Sequence, residues 1–230
     1  MNMLMERSRR FGRRQTECVR VRWCRQATPV VLMLMLMMCE GFGQGWSTTA
    51  AAQAKAHASR ATEQSAAAAY FTDVVLINQY GKEMRFYSDL IKGHTVIVIP
   101  FFTSCTGACP VMNRNLAKIQ SWLGNRLGRD AYIISLSVDP SRDTVERLRA
   151  YAEKVDARPG WFFLSGTREN VDMALTKLGQ RVEQPDAHTN LMIIGNDVTG
   201  LWKKAFGLAD SAALIRIVES VIDDKGDGAG

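Results

Sequence analysis

The chain has 230 residues, 47% of them hydrophobic, 23% charged and 8% aromatic, a globular composition for one or two domains that excludes collagen-like, disordered and multi-span membrane chains. Its formal charge of +6 belongs to residues 1–39, with eight Arg and two Glu, because residues 40–230 carry 21 basic and 21 acidic side chains. A neutral folded unit lacks the positive field that nucleic-acid binding draws on, so no DNA or RNA partner is expected.

Residues 1–39 read as an Arg-rich export signal: Arg7, Arg9, Arg10, Arg13, Arg14, Arg20, Arg22 and Arg25 precede the apolar run Val30–Cys39. That run is short of the ~20 residues a membrane-spanning helix needs but fits the ~7–15 of a signal-peptide core. Cleavage at a small-residue site such as Ala52-Gln53-Ala54 is expected, with an uncleaved short anchor as the alternative. Ser8-Arg9-Arg10-Phe11 resembles a twin-arginine signal and Leu36-Met37-Met38-Cys39 a lipoprotein box. The arginine pair, however, lies far upstream of the apolar run, and Met38 is bulky where lipoprotein processing prefers a small residue. The expected location is the periplasm or another extracytoplasmic space, secreted or held at the membrane by the N-terminal segment.

Residues 40–69 form an Ala/Ser/Gln-rich linker in which His57 is solvated, and residues 226–230 are a tail. The folded unit is expected over residues 70–225, long enough to bury about two thirds of its unfolded surface without disulfide staples. Val74-Val75-Leu76-Ile77 and Glu83–Tyr87 flank a turn at Asn78-Gln79-Tyr80-Gly81, predicting an N-terminal β-hairpin. Thr95–Phe102, TVIVIPFF, is apolar throughout, as in a strand covered on both faces. Pro110–Gly128 predicts a helix through Leu116, Ile119, Trp122 and Leu127. Ala131–Val138 is a second buried strand, followed by a helix to about Val155 capped by Ser141 or Asp143. Trp161–Leu164 is a short strand and Arg168–Gly179 a helix. Asn190–Ile194 and Gly200–Lys204 make a hairpin around Gly195-Asn196-Asp197, and Ser211–Ile222 is the last helix. Strand–helix–strand–helix followed by a hairpin and a helix predicts an α/β, thioredoxin-like fold: a central mixed sheet flanked by helices.

Between the first buried strand and its helix lies Phe102-Thr103-Ser104-Cys105-Thr106-Gly107-Ala108-Cys109-Pro110. Cysteines at i and i+4 around a helix start bring both sulfurs to one side, where unpaired amides favour thiolates by lowering their pKa. Such a pair is redox-active or metal-binding; two inert buried thiols are the plainer alternative, and the loop around Gly107 is an exposed place for them. Cys18, Cys24 and Cys39 precede the expected cleavage site, so the mature chain would keep only Cys105 and Cys109. A disulfide closing so small a loop removes little chain entropy, which argues for function over stapling.

From about Thr72 onward the chain resembles the Sco/SenC family, thioredoxin-fold copper proteins that help metallate cytochrome c oxidase. The family's Cys-x-x-x-Cys-Pro is matched by Cys105, Cys109 and Pro110. Its Ser-Val-Asp-Pro-x-Arg-Asp-Thr segment is matched by Ser137–Thr144, and the position of its copper-ligand histidine by His188 in Asp186-Ala187-His188-Thr189-Asn190. The chain departs at Thr106 and Val145, where the family often has proline. The resemblance implies one copper ion, cuprous or cupric, held by Cys105, Cys109 and His188. It also implies a client that is an apo-cuproprotein such as a cytochrome oxidase subunit.

Two thiolates and one imidazole suit copper in both oxidation states, whereas zinc usually takes a fourth ligand. Asp139, at a strand C-terminus, either supports the metal loop from outside the ligand set or serves as a turn and cap residue beside Pro140. His94 in Lys92-Gly93-His94-Thr95 belongs to a turn. Two functions compete. One is a copper metallochaperone delivering its ion to a respiratory oxidase or related cuproenzyme; the other is a thiol-disulfide oxidoreductase using Cys105 and Cys109 as a redox pair on the cysteines of a metal-site client. His188 discriminates, since a redox dithiol needs no distant imidazole. A peroxidase is disfavoured by Thr106 and Cys109.

Overall fold

β1 (Val75–Asn78) and β2 (Glu83–Arg85) pair antiparallel with Leu76 opposite Met84, forming the hairpin predicted at the N-terminal end. Asn78 folds the turn, its Oδ1 accepting from the amides of Tyr80 and Lys82 at 2.9 and 3.0 Å. Gly81 takes the φ of +77° that follows, a conformation open to glycine because it has no Cβ. The structure, a computed structural model, describes residues 53–55 and 67–226. The expected leader, His57, Cys18, Cys24, Cys39 and residues 227–230 lie outside the described residues. Among the described residues no helix is long and apolar enough to cross a membrane.

The apolar run after the hairpin is β3 (Thr95–Phe101), buried along its whole length. Ile97, Ile99 and Phe101 enter the core on one face, and Val96 and Val98 the core on the other, as the two-residue period of a strand dictates. α1 (Cys109–Leu123) crosses over to β4 (Ala131–Ser137), and α2 (Val145–Lys154) crosses over to β5 (Trp161–Ser165). β3, β4 and β5 are mutually parallel. α3 (Arg168–Lys177), β6 (Leu191–Asn196), β7 (Leu201–Phe206) and α4 (Ser211–Ile222) complete the chain. The sheet order is β2-β1-β5-β4-β3-β6-β7, with β6 antiparallel to β3 and β1 antiparallel to β5. This is the thioredoxin-like, mixed α/β arrangement predicted.

Helices cover both faces. Met112, Leu116 and Ile119 of α1, Leu148 of α2 and Leu214 and Val218 of α4 pack on the Ile97 face. Val171, Ala174 and Leu175 of α3, the helical turn Phe86–Ile91 and Phe71 pack on the Val96 face. Burying each such side chain is worth about 1.5–3 kcal/mol, which makes these stripes the main reason the elements stay together. The hairpin is fastened to β5 through buried Gln79, whose Nε2 donates to the Trp161 carbonyl at 2.9 Å and whose Oε1 accepts from the Phe163 amide at 3.0 Å.

Two local expectations change. α1 ends at Leu123 instead of reaching Gly128, because Gly124 turns to a φ of +55° and a short 3-10 turn, Gly124–Arg126, follows. The cap of α2 is Thr144, whose hydroxyl accepts from the Arg147 amide at 3.4 Å. Asp143 is drawn instead into the core, and Ser141 turns to Asp139.

Candidate metal centre

The centre forms where β3 hands over to α1. β3 must end at the sheet edge while its helix starts over the adjacent face, so residues 102–108 make a loop across the C-terminal end of the parallel strands, where open α/β sheets place their sites. Cys109 opens α1, and Pro110 occupies a first-turn position whose amide has no intrahelical partner to lose. Cys105 is half-buried and packs against both cores; Cys109 is 2% exposed. Both are free thiols.

His188 arrives from the connection between α3 and β6. A single turn, Pro185–Ala187, ends with the His188 amide donating to the Pro185 carbonyl at 3.1 Å, and the ring swings over the cysteine loop. Its Nε2 lies 3.9 Å from Cys105 Sγ and 4.0 Å from Cys109 Sγ, and all three donor atoms fall within 4.8 Å of one another. Metal–ligand bonds of about 2.0–2.3 Å put neighbouring donors roughly 3.5–4 Å apart, so the three atoms stand at the spacing of a common ion. His188 Nδ1 lies 3.0 Å from the Thr189 carbonyl. A carbonyl only accepts, so Nδ1 is the nitrogen that donates there and Nε2 is the one that faces the sulfurs. The Phe102 ring meets the imidazole edge to face at 5.5 Å and limits its rotation.

A helix start favours the thiolate by lowering the thiol pKa. For Cys109 the structure reverses this: burial, joined by the hydrogen bond and charge of the neighbouring Cys105, pushes its thiol far above the ordinary range. Desolvation outweighs the helix amides because Cys109 lies beneath the loop. Tyr151, also buried and close to the same sulfur, is pushed up to about 12 and stays protonated. Its hydroxyl accepts from Asn113 Nδ2 at 2.7 Å.

Asp139 is buried with its carboxylate on the Ser141 hydroxyl at 2.7 Å and the Arg142 guanidinium at 3.8 Å. The carboxylate that reaches the cysteine loop is Asp143, 2% exposed. Its Oδ1 accepts from the Thr103 amide and hydroxyl at 3.1 and 2.5 Å, and its Oδ2 from the Ser137 hydroxyl at 2.5 Å. The Asp139 amide donates to Ser137 Oγ at 3.0 Å, so Asp139 joins the network through its backbone. Asp143 thereby ties the end of β4 to the loop two residues ahead of Cys105. On the other side, the Thr189 hydroxyl donates to buried Gln180, holding the carbonyl that fixes the imidazole. Neither Asp143 as a loop tie nor the Gln180–Thr189 tether stood out in the sequence; a buried acid within the matched Ser137–Thr144 segment was the available signal for the first. His94 sits in a turn before β3, its ring 4.5 Å from that of Tyr132.

A cleft of about 360 Å³ opens beside the cluster, bounded by Cys105, Thr106, Asp186, His188 and Asn190. Such an arrangement can hold one soft ion at two sulfurs and a nitrogen, and it exposes one sulfur to exchange.

The SCO1/SenC family pattern matches residues 61–213. A SCO2-like protein of Rickettsia prowazekii is 30% identical over 133 residues, covering 56% of this chain. The chain spans about six tenths of that relative's length, the match covering 62% of it. BsSco, described as a member of the Sco family of cytochrome c oxidase assembly proteins with a disulfide switch, is 25% identical, with a TM-score of 0.56 over 67% of this chain and 94% of that one. Arabidopsis thaliana ScoI, solved with copper bound, shares the fold at 23% identity and a TM-score of 0.55, over 65% of this chain and 96% of that one. With this pattern running through the cysteine loop and the histidine turn, on the fold that its members share, the chain belongs to the SCO1/SenC family.

Proposed function

We propose that the chain binds one copper ion through Cys105, Cys109 and His188 and passes it by ligand exchange to an apo-cuproprotein, a respiratory oxidase subunit or a related cuproenzyme. The observation that carries this reading is His188 Nε2, 3.9 and 4.0 Å from two free sulfurs. Soft thiolates favour cuprous ion, and the imidazole extends the set to cupric ion. A low coordination number leaves room for an incoming client ligand, so the ion can be handed over without ever being released to water. The Arg-rich leader supports a working place outside the cytoplasmic membrane, with the N-terminal segment cleaved or retained as an anchor.

The test is anaerobic titration of the reduced chain with cuprous ion. One equivalent should bind, and binding should release protons, because burial keeps the Cys109 thiol protonated at neutral pH in the absence of metal. Apparent affinity should therefore fall as the pH is lowered. Binding without proton release, or no stoichiometric binding, would overturn the proposal.

A second reading is favoured by the unequal exposure of the sulfurs, Cys105 being half-buried and Cys109 buried. In thiol-disulfide exchange, Cys105 thiolate would attack a client disulfide and expel one client thiolate. Cys109 would then attack Cys105 Sγ, its thiol proton passing to a client thiolate, expelling the second client sulfur and leaving a Cys105–Cys109 disulfide; two electrons pass to the client.

A further inference from the structure

Cys105 borders two clefts. One is the His188 side already described; the other, of about 260 Å³, lies between α1 and α2. α1 contributes Asn113 and Arg114, one turn beyond Pro110, and α2 contributes Tyr151 and Lys154 from its last turn. The spacings of three and four residues put these side chains on the facing sides of the two helices. Tyr151 and Asn113 are buried and bonded to each other, forming a fixed floor. Arg114 and Lys154 are exposed, and among the described residues neither makes an ion pair or a side-chain hydrogen bond. No acidic side chain lines this cleft, whereas Asp186 lines the other one. Half-buried Cys105 thus has two cations without ion pairs in one bordering cleft and a carboxylate in the other.

We propose that the cleft between α1 and α2 docks an acidic segment flanking a client cysteine, with Arg114 and Lys154 taking its carboxylates and delivering the client sulfur to Cys105. The inference rests on the reading of Cys105 as the sulfur that exchanges with a client. Two unpaired cations beside a partly apolar cleft give charge complementarity to such a segment. They raise its encounter rate and set its orientation at the same time. A client arriving this way reaches Cys105 through the cleft that His188 does not line, so the incoming sulfur does not enter by the imidazole's cleft.

The experiment uses the reduced chain and cysteine peptides blocked as mixed disulfides with thionitrobenzoate, the cysteine being flanked by Asp, Asn or Lys. Cys105 thiolate attacks the peptide sulfur and expels coloured thionitrobenzoate. Cys109 thiolate then displaces the peptide thiol, leaving the Cys105–Cys109 disulfide, so the blocked peptide is the oxidant throughout. At low salt the Asp peptide should react roughly tenfold faster than the Asn peptide and the Lys peptide slower still, with the difference shrinking in high salt. The Asp/Asn rate ratio should invert in Arg114→Glu with Lys154→Glu and be kept in Arg114→Lys. Equal rates for the three peptides, or a ratio untouched by charge reversal, would overturn the proposal. Glutathione disulfide reacting as fast as the Asp peptide would also overturn it, assigning the cleft to a small anionic thiol. If the chain prefers the Asp peptide yet fails to bind copper, only the copper reading falls; copper binding without peptide preference removes only the docking surface.

Discussion

Replacing His188 by alanine is expected to weaken copper binding by on the order of a hundredfold or more while leaving the dithiol able to oxidise and reduce. The bound on the magnitude comes from the residues behind a ligand, whose loss alone typically costs about 10–100-fold in metal affinity; losing the ligand itself should cost at least as much. The imidazole touches the sulfurs only across 3.9 and 4.0 Å and is anchored through Thr189, so its removal leaves the cysteine loop and its Asp143 tie in place. Cupric binding should suffer most, since that ion favours nitrogen alongside sulfur, and its charge-transfer bands should shift. Cys105→Ser and Cys109→Ser should each abolish stoichiometric cuprous binding, a hydroxyl being a poor donor to a soft ion. Competition titration against a cuprous chelator measures all three variants. Equal copper affinity with and without His188 would remove it from the site and leave thiol-disulfide exchange as the better reading.

Replacing Asp143 by alanine should destabilise the fold by about 2–4 kcal/mol and loosen the cysteine loop. The buried carboxylate accepts from the Thr103 amide, the Thr103 hydroxyl and the Ser137 hydroxyl. Its loss strands these three donors at the end of β4, and an unsatisfied buried donor costs about 1–3 kcal/mol. Partial relaxation and entering water keep the total below the sum. Urea denaturation measures the loss of stability. Copper affinity of the folded fraction should also drop, because Thr103 lies two residues before Cys105 and no longer holds the loop at the spacing His188 requires. Asp143→Asn, which keeps shape and one acceptor, should recover part of both losses. A fully stable Asp143→Ala with unchanged affinity would show that the loop is held by its own packing.

Elements with local causes are legible along the chain. A short unbroken apolar run rich in β-branched residues has the character of a strand covered on both sides, and β3 is that; a stripe at helical spacing placed Leu116 and Ile119 of α1 against it. The three-residue gap between Cys105 and Cys109 needs only the geometry of a helix start to bring two sulfurs together. Long-range packing sets the rest. His188 stands 83 residues from Cys105 in the chain, and it reaches the sulfurs because β6 pairs with β3, which no local rule contains. The resemblance of Asp186–Asn190 to a family pattern singled it out, but periodicity could not. Asp143 looked like a helix cap because nearby sequence offers it that role; it became a loop tie because Thr103, 40 residues earlier, shares the end of the same sheet. Cys109 departs from the thiolate expected of a helix N-terminus for a related reason. Backbone amides act over one turn and are legible in sequence, whereas desolvation depends on every chain segment that closes over the sulfur, and that is settled only when the apolar faces of distant elements are buried together.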